Sequence, residues 1–147
     1  MKNLLVHKKT TEKGNIIDQL GSIIVMAFVF AMILAFAAYG KIVQAKLSIN
    51  NIAKEYLYRM EQNGLMTSED MAEMTEKLAN EGITVIENGF NGTTTEQVPY
   101  GEEVILICNV EFENPLYSVF KEGSYIVISG FPEKLQYGVS LPATSKW

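Results

Sequence analysis

Polar and apolar positions follow three successive patterns along this chain, and the first is a long stretch without charge. Residues 23–40, IIVMAFVFAMILAFAAYG, contain no charged side chain and would be apolar around the whole circumference of a helix. A bilayer core about 30 Å thick requires about 20 apolar helical residues, and residues 20–40 supply that length. The pattern predicts a single transmembrane helix, which we assign to residues 15–40.

The second pattern, beyond Lys41, is amphipathic. Apolar residues recur there at three- and four-residue spacing: Ile42, Ala45, Ile49, Ile52, Ala53, Tyr56 and Met60. No Gly or Pro interrupts residues 41–62, and the Asn-Gly pair at 63–64 is a typical stop signal. We therefore predict one continuous helix from Asn15 to Gln62. The apolar stripe of its amphipathic continuation, residues 41–63, must be covered by the rest of the chain or by another copy.

The third pattern, in residues 64–147, combines one short helix with strands. Thr67 or Ser68 is expected to cap the helix and Gly82 to close it. Four segments have strand patterning: Ile83–Ile86, Val104–Phe112, Ser124–Ser129 and Gln136–Leu141. Three prolines are expected to bound these segments: Pro115, Pro132 and Pro142. The fold class is therefore α+β: a long N-terminal transmembrane helix continuing into an amphipathic helix, a second short helix, and a small antiparallel sheet of three to four strands.

Charge sets the expected orientation. Residues 1–14 form a basic leader with four lysines and one acid: Lys2, Lys8, Lys9, Lys13 and Glu12. Because positive residues are retained on the cytoplasmic side, we predict a single-pass plasma-membrane protein with a cytoplasmic N-terminus and an extracytoplasmic C-terminal domain. Lys41 and Lys46, just past the span, act against this bias.

The C-terminal domain is acidic and poor in catalytic residues. Beyond Met60, four lysines stand against fourteen acids, a net charge of −10 that disfavours nucleic acid as a partner. His7, the only histidine, precedes the span, which excludes Ser-His-Asp, Cys-His and histidine-based metal sites from the domain. Cys108, the only cysteine, lies in an apolar strand pattern and is expected to be buried. We expect no enzymatic activity, cofactor, metal or small-molecule substrate.

Two features of the span are candidates for contacts with other proteins. Ala27, Ala31 and Ala35 recur at every fourth position, and such small residues let helix backbones approach closely in lipid. Alanine is also simply common in membrane helices, so that alternative stays open. Asp18 and Gln19 stand within one turn of the apolar run, where a carboxylate is costly unless it is paired or interfacial.

A cleaved signal peptide is a further alternative for the span. Residues 35–37, Ala-Phe-Ala, fit a small-x-small cleavage site. The apolar stretch is long for a signal peptide, however, and the helical pattern does not stop at Ala37. We therefore favour an uncleaved span at this position.

Together these features resemble those of type IV pilin-like proteins, in particular the tight-adherence minor pseudopilin (TadE-like) branch. The resemblance rests on a basic leader ending in Gly14, an acid soon after it, an apolar span continued by an amphipathic helix, and a small antiparallel domain. It implies cleavage by a prepilin peptidase after Gly14, which makes Asn15 the new N-terminus. It also implies assembly with other pilin-like subunits, identical or different.

One position departs from the family pattern. The family carries Glu five residues after the cut, and its carboxylate pairs with the new terminal amine of a neighbouring subunit. Here that position is Gln19, and the acid is Asp18, one residue earlier. A shift of one residue turns a side chain by about 100° around a helix. The resemblance implies Asp18 as the candidate assembly carboxylate and Gln19 as its polar neighbour, but the shift places the acid on a different side of the helix from the family's Glu.

Two functional hypotheses follow from the sequence. In the first, the protein is a membrane-anchored pseudopilin that takes part in assembling a type IV-like filament, secretion or conjugation apparatus. In the second, the span is only a signal anchor, and the acidic domain is an extracellular binding module for a cation or a basic partner. The first accounts better for an amphipathic segment that continues the span in phase.

Overall fold

The computed structural model describes residues 2–117 and 132–147, with side chains described for residue 16 and from residue 18 onward within those ranges. Its elements in chain order are α1 (Lys2–Asn63), α2 (Ser68–Asn80), β1 (Ile83–Val85), β2 (Glu103–Glu113) and β3 (Lys134–Thr144). The α+β prediction is confirmed: a long N-terminal apolar helix is followed by a second helix and a three-stranded antiparallel sheet. The strand expected at Ser124–Ser129 lies outside the described residues.

Helix α1 begins earlier than the sequence suggested. We expected it to start at Asn15, but it starts at Lys2 and includes the whole leader that follows. The leader has no proline, and a single interior glycine such as Gly14 costs a helix only about 1 kcal/mol relative to alanine. Gly14 therefore does not mark a break in the backbone between leader and span.

The chain divides into two compact units, Met1–Ala38 and Tyr39–Trp147. In the second unit, the C-terminal part of α1 contributes four side chains to the core: Ile49, Ala53, Tyr56 and Met60, each at most 1% exposed. Ile42, Ala45 and Ile52 pack against the same core at its edge. The amphipathic stripe predicted beyond Lys41 is confirmed, and it is covered by the chain's own sheet and second helix.

Helix α2 ends where its sequence predicts, and of the two N-cap candidates the structure has Thr67 and not Ser68. Thr67 is the N-cap: its Oγ1 accepts a hydrogen bond from the Asp70 N–H (3.0 Å), and the Asp70 carboxylate accepts one from the Thr67 N–H (3.4 Å). This reciprocal capping box satisfies two backbone donors that have no partner inside the helix. The helix ends at Asn80, and Gly82 follows with φ +74°, a conformation that favours glycine.

The sheet has the order β1-β2-β3, with both neighbouring pairs antiparallel. Central strand β2 alternates between buried and partly exposed positions. Its buried face is the one predicted: Val104, Leu106, Cys108, Val110 and Phe112. Val139 of β3 lies opposite Cys108 and is buried beside it. The sheet therefore presents one apolar face to the two helices.

Pro142 lies within β3, so the expectation that it bounds the strand is wrong. It lies opposite Ile105 of β2. Ile105 bonds through both its N–H and its C=O to Thr94 (2.9 Å each), on the side of β2 that faces away from β3. Pro142 therefore occupies a position where its missing N–H removes no bond from the β2–β3 ladder.

Candidate functional site

The apolar part of α1 is exposed on all of its sides. Every described side chain from Asp18 to Ala37 is exposed, including Ile24 (68%), Met26 (71%) and Phe36 (69%), which point in different directions around the helix. Monomeric soluble proteins rarely present so large a continuous apolar surface to water. Among the described residues, α1 is the one helix long and apolar enough to cross a membrane. A helix of this kind near the N-terminus can be a membrane anchor or a signal sequence.

The three alanines form a continuous exposed ridge. Ala27, Ala31 and Ala35 all lie on α1, and their four-residue spacing places them one above another on one side of the helix. Nothing in the described part of the chain covers them. Backbones of other helices could therefore approach α1 most closely along this line.

The predicted cleavage position and the polar pair are also on α1. Gly14 and Asn15 belong to its continuous helical backbone. The side chains of Asp18 and Gln19 are exposed. Because successive helical residues are rotated by about 100°, the carboxylate and the amide project from different sides of the helix. The two side chains do not form one joint site within a single chain.

A charged cluster that the sequence analysis missed connects α1 to α2. The Arg59 guanidinium bonds to Glu73 (Nη1–Oε2 2.7 Å), Asp70 (3.3 Å) and Glu55 (3.3 Å), and it lies 4.8 Å from the centre of the Tyr56 ring. Hydrogen bonding to Arg59 lowers the pKa of Glu73 below its usual value. All four side chains around Arg59 are engaged with it, so the cluster fixes the two helices to each other and offers no free catalytic group.

Tyr56 lies at the centre of this cluster. Its side chain is fully buried, and burial is the main reason that its pKa is raised. Lys77 of α2 lies 5.2 Å from its ring centre and pairs with Glu55 (2.8 Å). The four-residue spacing of Glu55 and Arg59 was visible in the sequence. The role of Tyr56 between two cations depends on how the helices pack, which the sequence does not give.

Two surface cavities accompany the sheet, and neither gathers a set of reactive groups. The first, of about 580 Å³, is lined by residues including Lys41, Phe112 and an ion pair between Lys134 and Glu111. The second, of about 550 Å³, is lined by side chains including Met71, Phe90 and Asn91. Within the described ranges, no three His, Cys, Asp or Glu side chains are placed to hold a metal ion.

Cys108, the chain's one thiol, has no access to solvent. It is 0% exposed, and burial raises its pKa to about 12. A thiol that stays protonated is a poor nucleophile and a poor metal ligand. The prediction that Cys108 behaves as a small buried hydrophobe is confirmed.

In comparisons with protein-family models, curated proteins and solved structures, nothing matches this chain. What the chain has is a pilin-like layout, with a long N-terminal apolar helix followed by a small antiparallel sheet. The exposed apolar surface of α1, with its alanine ridge and the polar pair at its beginning, is the candidate functional site.

Proposed function

We propose that this chain is a non-enzymatic, membrane-anchored pseudopilin. In this role it is a minor pilin-like subunit that takes part in assembling a type IV-like filament, a secretion apparatus or a conjugation apparatus. The observation that supports the proposal most is that α1 serves two purposes. Its N-terminal part exposes an apolar surface on every side, and its C-terminal part supplies core residues such as Ile49 and Tyr56 to a small α+β unit.

The exposed part of α1 needs an apolar environment. Exposed apolar surface costs about 25 cal/mol per Å² in water, so a helix with side chains such as Phe28 and Phe30 more than 60% exposed is suited to lipid or to other apolar helices. A filament or envelope machine of the pilin type provides both environments in turn. The membrane and other pilin-like subunits, identical or different, are therefore the proposed partners.

Processing would create the assembly-competent end. Cleavage by a prepilin peptidase between Gly14 and Asn15 would remove the basic leader and place a new amine three residues before Asp18. The Asp18 side chain is exposed, so its carboxylate is accessible to the terminal amine of a neighbouring subunit. The cleavage site lies within helix α1, and a peptidase therefore has to unwind the helix locally around Gly14, where glycine makes unwinding cheapest.

The alternative function is that of a signal-anchored extracellular binding module for a cation or a basic partner. For a metal cation, the described residues offer no group of three suitable ligands. Several acids that gave the domain its negative charge are paired with lysine or arginine, among them Glu61, Glu73 and Glu111. Both functions explain an apolar helix. Only the pseudopilin proposal also gives a role to the alanine ridge, because a simple tether needs no such ridge.

A matched pair of substitutions tests the proposal. Ala31→Arg places a charge on the alanine ridge, and Ile33→Arg places the same charge about 200° away around the helix. Either arginine adds about 2.5–3.5 kcal/mol to the free energy of membrane insertion, so an insertion defect affects both variants. Assembly is measured in host membranes by chemical cross-linking and native electrophoresis, and membrane content by carbonate extraction.

We expect Ala31→Arg to lose the higher-mass complexes while remaining in the membrane, and Ile33→Arg to retain them. Normal assembly of Ala31→Arg would count directly against the pseudopilin function. Equal loss of the complexes in both variants, with both still in the membrane, would show that the alanine ridge is not the specific contact surface, and the proposed role of Ala31 would be abandoned.

A further inference from the structure

Three exposed aromatic side chains lie on segments that are joined by backbone hydrogen bonds within the Tyr39–Trp147 unit. They are Tyr58 (60% exposed), Tyr100 (76%) and Trp147 (53%), which we call the aromatic surface. Beyond residue 47, every large exposed hydrophobic side chain in the described ranges belongs to it. Tyrosine and tryptophan are the residues most enriched at the energetic centres of protein interfaces. These three exposed rings are therefore candidates for contact with another molecule.

Backbone contacts join the three segments that carry these rings. The Lys146 N–H donates to the Glu61 carbonyl (2.6 Å), which connects the C-terminus to the last turns of α1 close to Tyr58. The Gly101 N–H donates to the Ser145 carbonyl (2.9 Å), which sets the turn that holds Tyr100 beside the residues preceding Trp147. The aromatic surface thus consists of neighbouring segments and not of scattered side chains.

Trp147 is held in place although half of it is exposed. Its indole N–H donates to the Val98 carbonyl (2.8 Å), and the Val98 N–H donates to the Gly64 carbonyl (3.1 Å). Gly64 has φ +72°, and a Cβ there would overlap the indole, so the glycine makes room for the ring. A ring fixed before binding loses little conformational entropy when a partner covers its face.

Two acids follow closely after Tyr100 in the sequence. Glu102 and Glu103 directly follow the Tyr100 turn, are exposed, and form no ion pair with the described residues. The Glu102 carbonyl accepts a hydrogen bond from the Ser145 N–H (2.8 Å), which places Glu102 two residues from Trp147. The aromatic surface is therefore bordered by negative charge that no described side chain neutralises.

One lysine of the domain already lies between an acid and an aromatic ring. The Lys146 ammonium pairs with Glu61 and lies 5.8 Å from the centre of the Tyr58 ring, between a carboxylate and an aromatic face. Lys46 lies 5.1 Å from the Tyr137 ring centre, a second contact between a cation and an aromatic face. Attraction between a cation and an aromatic face adds to the ion pair, and the combination suits Lys and Arg side chains. Tyr100 and Trp147 are exposed, Glu102 is two residues from Tyr100 along the chain, and no cation of the described residues lies over either ring.

We propose that the aromatic surface binds a basic segment of a partner protein, whose Lys or Arg side chains lie on Tyr100 and Trp147 and pair with Glu102 and Glu103. The proposal does not depend on the pseudopilin function, because it uses only residues of the Tyr39–Trp147 unit. Its charge complementarity excludes an anionic lipid surface as the partner.

The test uses the fluorescence of Trp147, the only tryptophan in the chain. Full-length protein in a non-ionic detergent is titrated with a peptide of three arginines alternating with glycine, which contains no aromatic residue. We expect a saturable change in tryptophan emission that weakens as salt is added, because exposed charge pairs are screened. We expect Tyr100→Ala to weaken binding about two- to five-fold, the contribution of one exposed cation–aromatic contact.

A second pair of variants separates a local site from bulk charge. Glu102→Gln with Glu103→Gln removes two acids at the aromatic surface, and Glu76→Gln with Glu87→Gln removes two exposed acids elsewhere on the domain. We expect the first double variant to bind about two- to five-fold more weakly and the second to bind like the unmodified protein. Equal weakening of both, or no fluorescence change with the peptide, would overturn the proposal. A response to a neutral oligosaccharide in place of the peptide would also overturn it, in favour of a glycan site.

Discussion

Removing the C-terminal part of α1 should unfold the small domain. The perturbation is the deletion of residues 39–63. It is tested by comparing two fragments, residues 39–147 and residues 64–147, which differ only in that part of the helix. The first corresponds to a compact unit of the structure, and the second lacks the helix that covers much of the sheet. We expect residues 39–147 to fold and residues 64–147 not to.

The magnitude follows from three side chains that α1 contributes to the core. Ile49, Tyr56 and Met60 are each at most 1% exposed. Burying one large apolar side chain stabilises a fold by about 1.5–3 kcal/mol, so the three together contribute about 5–9 kcal/mol. A small domain is stable by only about 5–15 kcal/mol in total. Loss of the helix therefore removes most or all of the free energy of unfolding. Exposure of the apolar face of β2 lowers it further.

The assay is urea unfolding followed by near-ultraviolet circular dichroism. Residues 39–147 should unfold cooperatively, and residues 64–147 should show no fixed tertiary signal even without urea. Within the longer fragment, Ile49→Ala should lower the free energy of unfolding by about 2–5 kcal/mol. Leu47→Ala, at a side chain that is 57% exposed, should change it by less than about 0.5 kcal/mol. Cooperative unfolding of residues 64–147 with the same midpoint as the longer fragment would refute the reasoning and favour an independent binding module.

Three further predictions concern single side chains. Gly64→Ala should destabilise the domain by about 1–3 kcal/mol, because residue 64 has φ +72° and a Cβ would meet Trp147; a lower thermal midpoint and a shift in Trp147 emission check this. The ion pair that lowers the pKa of Glu73 should stabilise the domain at neutral pH and be lost as pH falls through that lowered pKa, and Arg59→Gln should flatten this acid dependence in thermal unfolding scans. Cys108, with a pKa of about 12, should not react with iodoacetamide at mildly alkaline pH until urea unfolds the domain, as mass spectrometry would show.

Local signals in the sequence were sufficient for several elements. Local composition limited the N-cap of α2 to Thr67 or Ser68, and the alternation along β2 is set by the two-residue period of a strand. The start of α1 was harder to predict from the sequence, because no capping residue marks it and Gly14 is too weak a breaker to end a helix. Pro142 was expected to end β3 but lies inside it, because a strand tolerates proline at a position where its N–H would make no bond to the neighbouring strand.

The side-chain sites could not be predicted, because they join residues that are distant in sequence. Arg59 bonds to Glu73, fourteen residues away, and only the packing of α1 against α2 brings them together. Trp147 bonds to Val98, forty-nine residues away, so the aromatic surface has no local signature. The alanine ridge, in contrast, depends only on helical spacing within α1, and its geometry was predicted. Whether that ridge contacts other subunits stays a prediction.

The most direct test of the pseudopilin account is the intact mass of the protein purified from membranes of its host. The account predicts a polypeptide that begins at Asn15, with Met1–Gly14 removed and the rest of α1 retained. A mass beginning at Met1 would contradict it and point to a plain signal anchor carrying a binding domain. A mass beginning at Ala38 would contradict both membrane-bound alternatives, because the apolar span would then have been a cleaved signal sequence.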